Sequence, residues 1–265
     1  MPYDASETMD VRGVTLRRDP AREACFVIAH HETEVRSERN YDSVGAVRSM
    51  LHREYNNETQ NAEIAAQTLV DFPDAPWELR MQLARQVWDE TRHARMFLRR
   101  VIAMGGKKGE SPIKNGDWAI VCMIDTLPGR LLVQHRLFEG GVMDSFRQVG
   151  KGFRDNGDDE TADMLDTILA DEIQHVRFAN HWLREFAKQP RAVMQMANAL
   201  TFVSNVFKAL TPKPGETSID GVDLAAVDHA IQINIEDRQR AGFTEAELAD
   251  LIHRDATENL SQLGS

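Results

Sequence analysis

Residues 171–175 of this chain read Asp-Glu-Ile-Gln-His, and residues 89–93 read Asp-Glu-Thr-Arg-His. In each stretch a glutamate lies three positions before a histidine. Residues at this spacing share one face of a helix, so each stretch can present a carboxylate and an imidazole side by side. One such pair would be weak evidence, because helices contain both residue types freely.

A lone glutamate precedes each pair at nearly the same distance along the chain. Glu58 precedes Glu90, and Glu139 precedes Glu172 with a spacing only one position longer. Two Glu-x-x-His helices, with one glutamate from each of two further helices, form the six-ligand set of a di-iron or di-manganese helix bundle. The candidate metal ligands are therefore Glu58, Glu90, His93, Glu139, Glu172 and His175.

Helix-breaking residues divide the chain into four long helical regions. The pattern predicts helices over about 43–70, 77–104, 118–149 (interrupted by Pro128-Gly129) and 161–188. A fifth helix is expected after Pro190, and one or two short helices after that. We therefore expect an N-terminal extension (1–42), a bundle of two antiparallel helix pairs (43–189) and a helical C-terminal extension (190–265).

Helix geometry selects between two glutamates of the first helix. Glu58 lies almost as far before the turn near Val70 as Glu90 lies after the start of the second helix at Trp77. Since both helices rise by about 1.5 Å per residue, the two glutamates reach one height in an antiparallel hairpin. Glu63 lies nearer the turn and roughly 140° around the helix from Glu58. Glu58 is therefore the preferred ligand, and Glu63 is kept as a candidate additional ligand.

The two helix pairs need a long connection. If they pack about a pseudo-two-fold axis, the segment from Gly105 to about Asp117 must travel the length of the bundle. A dozen extended residues reach roughly 40 Å, which is enough for this crossover.

Carboxylates and imidazoles that face a core are costly to bury unless they are paired or bind metal. Two divalent ions would compensate them, with one glutamate and one histidine on each ion and two glutamates between the ions. Such oxygen-rich coordination favours two iron ions, or manganese or a mixed Mn/Fe pair, over a closed zinc site. A network of salt bridges is the alternative without metal.

Four more side chains could assist this site. Asp89 and Asp171 each lie four residues before a histidine, and we expect each to accept the Nδ1 proton and so select the nitrogen that binds metal. His135, one turn before Glu139, is a candidate additional ligand, supporting group or proton donor, and a packing histidine is an equal alternative. Tyr55 could be redox-active or bond to a ligand, although an ordinary core tyrosine is preferred.

Composition narrows the partners and the compartment. The net charge is −11, from 31 basic and 42 acidic residues, which argues against a broad phosphate-binding surface and against nucleic acid as a partner. No apolar run approaches the roughly 18 residues of a membrane span. Cys25 and Cys122 are expected to be buried thiols in a reducing cytosol, so we expect a cytoplasmic protein without a membrane partner.

At these residues the chain resembles the ferritin-like dimetal (di-iron) carboxylate superfamily, over about 43–188. Residues 171–176, His181-Trp182 and residues 240–243 resemble a bacterial ferritin-like family of largely unassigned function. The resemblance implies an all-α, ferritin-like four-helix bundle that holds two metal ions on the six residues named above. The long segment after the fourth helix departs from storage ferritins and suits an enzyme that encloses a substrate.

The leading functional expectation is an O₂-dependent dimetal oxidoreductase, an oxygenase or oxidase that hydroxylates, desaturates or N-oxygenates a small organic substrate. Electrons would come from a separate reductase or ferredoxin, because the chain shows no flavin or Fe–S motif. A ferroxidase or peroxide-scavenging protein is the alternative, and a tRNA-modifying di-iron hydroxylase is third. A vestigial scaffold ranks last, and a homodimer is compatible with the sequence.

Overall fold

The computed structural model describes residues 7–29, 41, 43–210, 218–219, 222–223 and 232–262. The described chain is mostly helical. The long helices are α1 (Val44–Asp71), α2 (Trp77–Ala103), α5 (Gly140–Asp155), α6 (Asp159–Ala187), α7 (Pro190–Leu210) and α9 (Glu245–Gln262). The short ones are α3 (Gly116–Val121), α4 (Leu127–Leu131) and α8 (Ile235–Arg240), and a π-helical segment, Leu132–Glu139, joins α4 to α5.

The first hairpin consists of α1 and α2, which pack closely along their length. Ser43 begins α1, because its hydroxyl accepts a hydrogen bond from the amide of Ala46 at 3.1 Å. A short turn over residues 72–76 separates the two helices, and α2 begins directly after Pro76. The predicted helices over 43–70 and 77–104 are confirmed.

The second hairpin consists of α5 and α6. Asp158 begins α6 by accepting a hydrogen bond from the amide of Thr161, and its carboxylate also binds Arg100 of α2 at 2.7 Å. This N-cap therefore fixes α6 against the first hairpin. The predicted helix over 161–188 is confirmed, and so is a fifth helix after Pro190.

The predicted third helix, 118–149, is wrong in its first part. The chain forms the short helix α3 and a non-helical stretch over residues 122–126 before α4 begins at Leu127. Pro128 lies in the first turn of α4, where a residue without an amide hydrogen is well tolerated. Pro128 therefore begins a helix rather than interrupting one, and the connection between the hairpins extends to residue 126.

The first part of this connection runs alongside α1. The amide of Gly109 donates to Nε2 of His52 at 2.9 Å. Further along, the carbonyl of Lys114 accepts hydrogen bonds from Asn56 at 2.6 Å and from Gln60 at 3.1 Å. Amide side chains of α1 thus guide the predicted crossover along the first hairpin.

The predominance of helices agrees with the expected all-α class, and two small pairs of strands accompany the helices. Strands β1 (Thr8–Val11) and β2 (Val14–Arg17) form an antiparallel hairpin in the predicted N-terminal extension, and β3 (Ser218–Ile219) pairs with β4 (Val222–Asp223). Arg12 and Gly13 both have positive φ, as a two-residue hairpin turn requires. Val11 and Leu16 are buried in one cluster with residues of α3 and α7. Burial of only these two side chains, in so short a hairpin, leaves little signal in the sequence.

The two cysteines differ in their exposure to solvent. Cys122 is buried as expected, but Cys25 is exposed, so that expectation was wrong for one of the two thiols. At the start of α9, the hydroxyl of Thr244 accepts from the amide of Glu247 at 3.3 Å, and the carboxylate of Glu247 accepts from the amide of Thr244 at 2.8 Å, which is a capping box.

Across the described residues, every helix falls short of the combined length and apolar character that a membrane crossing requires.

Candidate metal centre

The six sequence-predicted ligands converge between the two hairpins. Glu58 projects from α1, Glu139 is the last residue of the π-helical segment, and each of α2 and α6 contributes one Glu-x-x-His pair. All six side chains are buried, with Glu90 and His93 fully excluded from solvent. Hydrophobic clusters lie on either side, so helix packing brings these polar groups into the core.

Four helical segments place these groups in two overlapping quartets. Within each quartet, one ligand atom from each residue lies within 4.8 Å of all the others. The first quartet is Glu58, Glu90, His93 and Glu172, and the second is Glu90, Glu139, Glu172 and His175. Glu90 and Glu172 belong to both quartets, so the structure offers two adjacent cation sites with two shared carboxylates.

The shared carboxylates divide their oxygens between the two histidines. Nδ1 of His93 lies 3.0 Å from Oε2 of Glu90 and 3.2 Å from Oε1 of Glu172. Nδ1 of His175 lies 3.3 Å from Oε1 of Glu90 and 3.4 Å from Oε2 of Glu172. Each shared glutamate therefore turns one oxygen toward each quartet, which is the arrangement of a bridging carboxylate.

Asp89 and Asp171 contact the histidines in a crossed pattern. Oδ2 of Asp171 lies 3.2 Å from Nε2 of His93, and Oδ2 of Asp89 lies 3.5 Å from Nε2 of His175. The spacing along each helix instead predicts a contact between each acid and Nδ1 of the histidine four residues later. The structure differs because Nδ1 faces the glutamates, which leaves Nε2 to reach across to the neighbouring helix.

Two arginines hold these acids from the solvent side. Arg92 forms ion pairs with Asp171 and, at 3.6 Å, with Asp89. Arg85 lies 3.3 Å from Asp89. Burial raises the pKa of Asp89, but the hydrogen bond and charge of His175, together with Arg85, outweigh it and lower that pKa. Asp89 is therefore ionised and able to accept a proton from Nε2, which leaves Nδ1 free for a cation.

Two glutamines donate to the glutamate of the second hairpin. Nε2 of Gln86 lies 2.6 Å from Oε1 of Glu139 and 3.1 Å from Oε1 of Glu90. Nε2 of Gln134 donates to the same Glu139 oxygen at 3.1 Å and to Asn61 at 3.0 Å. The sequence reasoning missed both glutamines, although Gln86 lies four residues before Glu90, on the same helix face.

His135 lies beside the quartets but belongs to neither. Its Nε2 is 2.9 Å from Oε1 of Gln86, so the neutral imidazole donates there and orients the amide of Gln86 toward the carboxylates. Burial, aided by the nearby charge of His175, lowers the pKa of His135 to about 3. Of its three candidate roles, the geometry supports that of a supporting group.

Glu63 and Tyr55 lie outside the cluster. Both carboxylate oxygens of Glu63 bind the guanidinium of Arg22, at 2.6 and 2.8 Å, so the expectation of an additional ligand is wrong for Glu63. The ring of Tyr55 stacks on Phe26 with 6.1 Å between centroids, and it packs against the cluster that contains Val47. Tyr55 is thus placed as a packing residue, which was the preferred alternative.

The cluster retains protons in the absence of a cation. Burial raises the pKa of Glu58 and Glu139 well above the usual carboxyl value. Burial lowers the pKa of His175, but the charges of Glu172 and Glu90 outweigh that effect and raise it well above the usual value. Like charges packed this closely cannot all ionise without a compensating cation.

Several polar atoms of the cluster face inward without a hydrogen-bond partner among the described residues. These atoms are Oε2 of Glu58, Oε2 of Glu139, both carboxylate oxygens of Glu172 and Nδ1 of His175. Buried polar atoms are normally satisfied, because an unpaired one costs free energy. Carboxylate oxygens and imidazole nitrogens are good ligands for divalent transition metals, so the residues present fit such a pair.

The π-helical segment explains how Glu139 reaches the cluster. The amide of Gly140 donates to the carbonyl of His135, five residues earlier, which is the wider spacing of a π-helix. Such segments occur often at functional sites.

A cavity of about 330 Å³ opens between α2 and α6 on the outer side of His175. It is lined by Gln82, Arg85, Asp89, Gln174, His175, Arg177, Phe178 and His181. The crossed acid Asp89 lies in its wall. The candidate metal centre therefore has an approach from the protein surface next to one of its histidines.

Comparisons with known proteins give a family for the chain. No match was found among curated proteins or among solved structures. The family described as "protein of unknown function (DUF455)" matches residues 4–249. That range includes both hairpins, all six clustered residues and α8, so the chain belongs to the DUF455 family.

Proposed function

We propose that this chain is a dimetal carboxylate protein with a ferritin-like four-helix bundle, and that it catalyses O₂-dependent oxidation of a small organic substrate. The main support for the dimetal site is the pair of overlapping quartets that share Glu90 and Glu172. A single salt-bridge network has no need for two glutamates that each turn one oxygen toward each of two histidines. A pair of cations accounts for this arrangement, because each shared carboxylate offers one oxygen to each ion.

In the proposed centre, Glu58 and His93 would hold one ion, Glu139 and His175 would hold the other, and Glu90 and Glu172 would serve both. A pair of iron ions, or manganese in place of one or both, would supply binding and reduction of O₂. The protein's own contribution is orientation. Asp171 and Asp89 hold each imidazole with Nδ1 toward the cluster.

Gln86 and His135 stabilise the second half of the centre. The amide of Gln86 donates to Glu139 and Glu90, and this favours the ionised form of both carboxylates. His135 keeps that amide in place, because its Nε2 proton satisfies the carbonyl oxygen of Gln86. His135 stays neutral and adds no positive charge beside the cation site.

The cavity beside His175 supports a small-molecule substrate and not a macromolecular one. Its volume of about 330 Å³ suits a compact organic molecule. Hydroxylation of such a molecule by O₂ also consumes electrons and protons and releases water, so an external reductase or ferredoxin would supply the electrons.

Metal loading tests the dimetal centre. Anaerobic reconstitution of the wild-type chain with Fe(II) or Mn(II) is expected to give about two ions per chain. Glu90→Ala or Glu172→Ala should lower that content sharply, because each removes a ligand from both sites. Glu78→Gln is the matched control, since Glu78 lies exposed in the first turn of the same helix as Glu90. A wild-type chain that stays metal-free would overturn the proposal.

Stopped-flow oxidation separates an oxygenase from a ferroxidase. We expect rapid oxidation to cease at about two Fe(II) per chain until electrons and substrate are supplied. Continued rapid turnover at rising Fe(II)-to-protein ratios, with ferric product deposited, would show metal handling instead. That result would leave the dimetal centre intact and overturn the oxygenase assignment.

A further inference from the structure

A C-terminal segment crosses the second hairpin next to Glu139. Residues 234–247, here named the strap, contain α8 and the beginning of α9. Polar contacts hold the strap to the π-helical segment, α5 and α6. They join Asn234 to Asp144, Asp237 to Arg147, Arg240 to Arg177, Ala241 to Asn180, Gly242 to Arg184 and Glu247 to Arg136.

Arg238 is the buried cation of the strap. Its Nη2 donates to Oδ2 of Asp144 at 2.7 Å, and its Nε donates to Oδ1 of Asp144 at 3.1 Å. Both side chains are almost completely excluded from solvent. Removal of one partner of a buried ion pair leaves the other charge uncompensated, so this contact strongly ties α8 to α5.

The same guanidinium lies against the residue that follows Glu139. A Cβ atom at Gly140 would lie only 3.2 Å from Nη1 of Arg238 and 3.4 Å from Nη2. Glycine therefore permits a contact that other residues would crowd. Since Gly140 supplies the amide that closes the wide turn onto His135, the guanidinium packs where the π-helical segment changes to α5.

Phe243 links Arg238 to the π-helical segment itself. The guanidinium carbon of Arg238 lies 5.0 Å from the centre of the Phe243 ring, and that of Arg136 lies 4.7 Å from it. Arg136 belongs to the wide turn, three residues before Glu139. The strap therefore holds the polypeptide on both sides of Glu139.

We propose that Arg238 is a positioning residue that holds Glu139 in the candidate metal centre. This inference rests on the proposed dimetal function. The strap contacts α5 and α6, whereas Glu58 and His93 lie on α1 and α2. Loss of Arg238 therefore weakens the half of the centre made by Glu139 and His175 and leaves the other half intact.

Titration with Mn(II), followed by the electron paramagnetic resonance signal of the free ion, tests this role. In Arg238→Ala we expect one ion to bind with wild-type affinity and the second to bind about 10- to 100-fold more weakly. The spectrum of bound manganese should change from that of a coupled pair to that of a single ion. Arg238→Lys, which keeps the charge, should recover part of the second affinity.

Arg147→Ala is the matched control. Arg147 also ties the strap to α5, through Asp237, but it does not take part in the Gly140 contact. Both Mn(II) affinities should stay at the wild-type value in this variant. An equal loss in Arg147→Ala and Arg238→Ala would assign the effect to general attachment of the strap and would overturn the specific role of Arg238.

A double-mutant cycle adds a test in which one variant, Gly140→Ala, keeps both members of the ion pair between Arg238 and Asp144. Gly140→Ala should weaken the second ion in the wild-type background, because its Cβ displaces the guanidinium. In the Arg238→Ala background it should cause no further loss. Equal losses in both backgrounds would contradict the proposal, and so would two tight ions in Arg238→Ala. A wild-type chain that binds no Mn(II) would instead overturn the dimetal function itself.

Discussion

The carboxylate of Asp171 on α6 lies 3.2 Å from Nε2 of His93 on α2, so the acid that orients this imidazole comes from the other hairpin. Asp89 and His175 repeat the relationship in the opposite direction. The two Asp-Glu-x-x-His stretches are therefore interlocked, and each completes the site of the other.

The crossed contacts predict which ion each aspartate supports. Asp171→Asn should weaken the ion held by Glu58 and His93 about 10- to 100-fold, because the imidazole loses the acceptor that fixes its protonated nitrogen. Asp89→Asn should weaken the ion on His175 by a similar factor. Mn(II) titration measures both effects.

Asp163→Asn provides the control for these two variants. Asp163 is an exposed acid of α6 whose side chain pairs with the surface residue Arg154. The variant should bind both ions as tightly as the wild type. Unchanged binding in Asp171→Asn and Asp89→Asn would mean that the crossed acids serve only as ion-pair partners of Arg92 and Arg85.

The two glutamates of α1 should respond differently to substitution. Glu58→Gln should lower metal content, because Glu58 completes the first quartet. Glu63→Ala should leave metal content unchanged and should lower the free energy of unfolding by about 1–3 kcal/mol, since buried Arg22 loses its carboxylate partner. Metal analysis and urea unfolding measure the two effects. A loss of metal in Glu63→Ala would contradict this assignment.

The proton content of the cluster predicts a pH dependence. The pKa of Glu58, Glu139 and His175 is raised in the folded chain, so the folded state binds more protons than the unfolded state near neutral pH. Stability of the metal-free chain should therefore fall as the pH rises from about 6 to about 8. A cation displaces those protons, so stabilisation by Mn(II) should grow over the same interval.

Thermal unfolding with a chelator and with Mn(II), at several pH values, measures both trends. The double variant Glu58→Gln, Glu139→Gln is the control, because it removes the two carboxyl groups with raised pKa. Its metal-free form should show a smaller dependence on pH. A metal-free wild-type chain that becomes more stable over this interval would contradict the predicted sign.

The variant His135→Leu tests whether His135 orients Gln86 or binds a metal ion directly. Stoichiometry should remain about two ions per chain, while affinity should fall by about tenfold or more, because the amide of Gln86 loses the group that orients it. His52→Leu is the matched control, since His52 is equally buried and contacts the crossover at Gly109. One ion per chain in His135→Leu would instead identify His135 as a metal ligand.

The boundaries of α1, α2 and α6 and the six clustered residues could be predicted from the sequence because both depend on short-range rules. Capping residues, prolines and a spacing of three positions fix α1, α2 and α6, and similar distances from the turn set Glu58 against Glu90. Glu139 could be found in the same way, although the π-helical segment that ends at Glu139 could not.

The remaining features depend on contacts between distant segments. The spacing of Asp89 and His93 on one helix predicts a contact between these two residues. In the structure, α6 lies close enough to α2 for Asp89 to contact His175 instead. Gln86 carries no charge and resembles any exposed helical glutamine until its partners are known. The proposed role of Arg238 depends on its contact with Gly140, and the two residues are too far apart in the chain for the sequence to predict that contact.

The overlap of the two quartets has a consequence for the order of folding and metal binding. Each quartet takes residues from both halves of the bundle, so either half alone holds an incomplete set of ligands for either ion. The two halves must therefore dock before either ion finds its full set of ligands, and the metal would stabilise the docked arrangement.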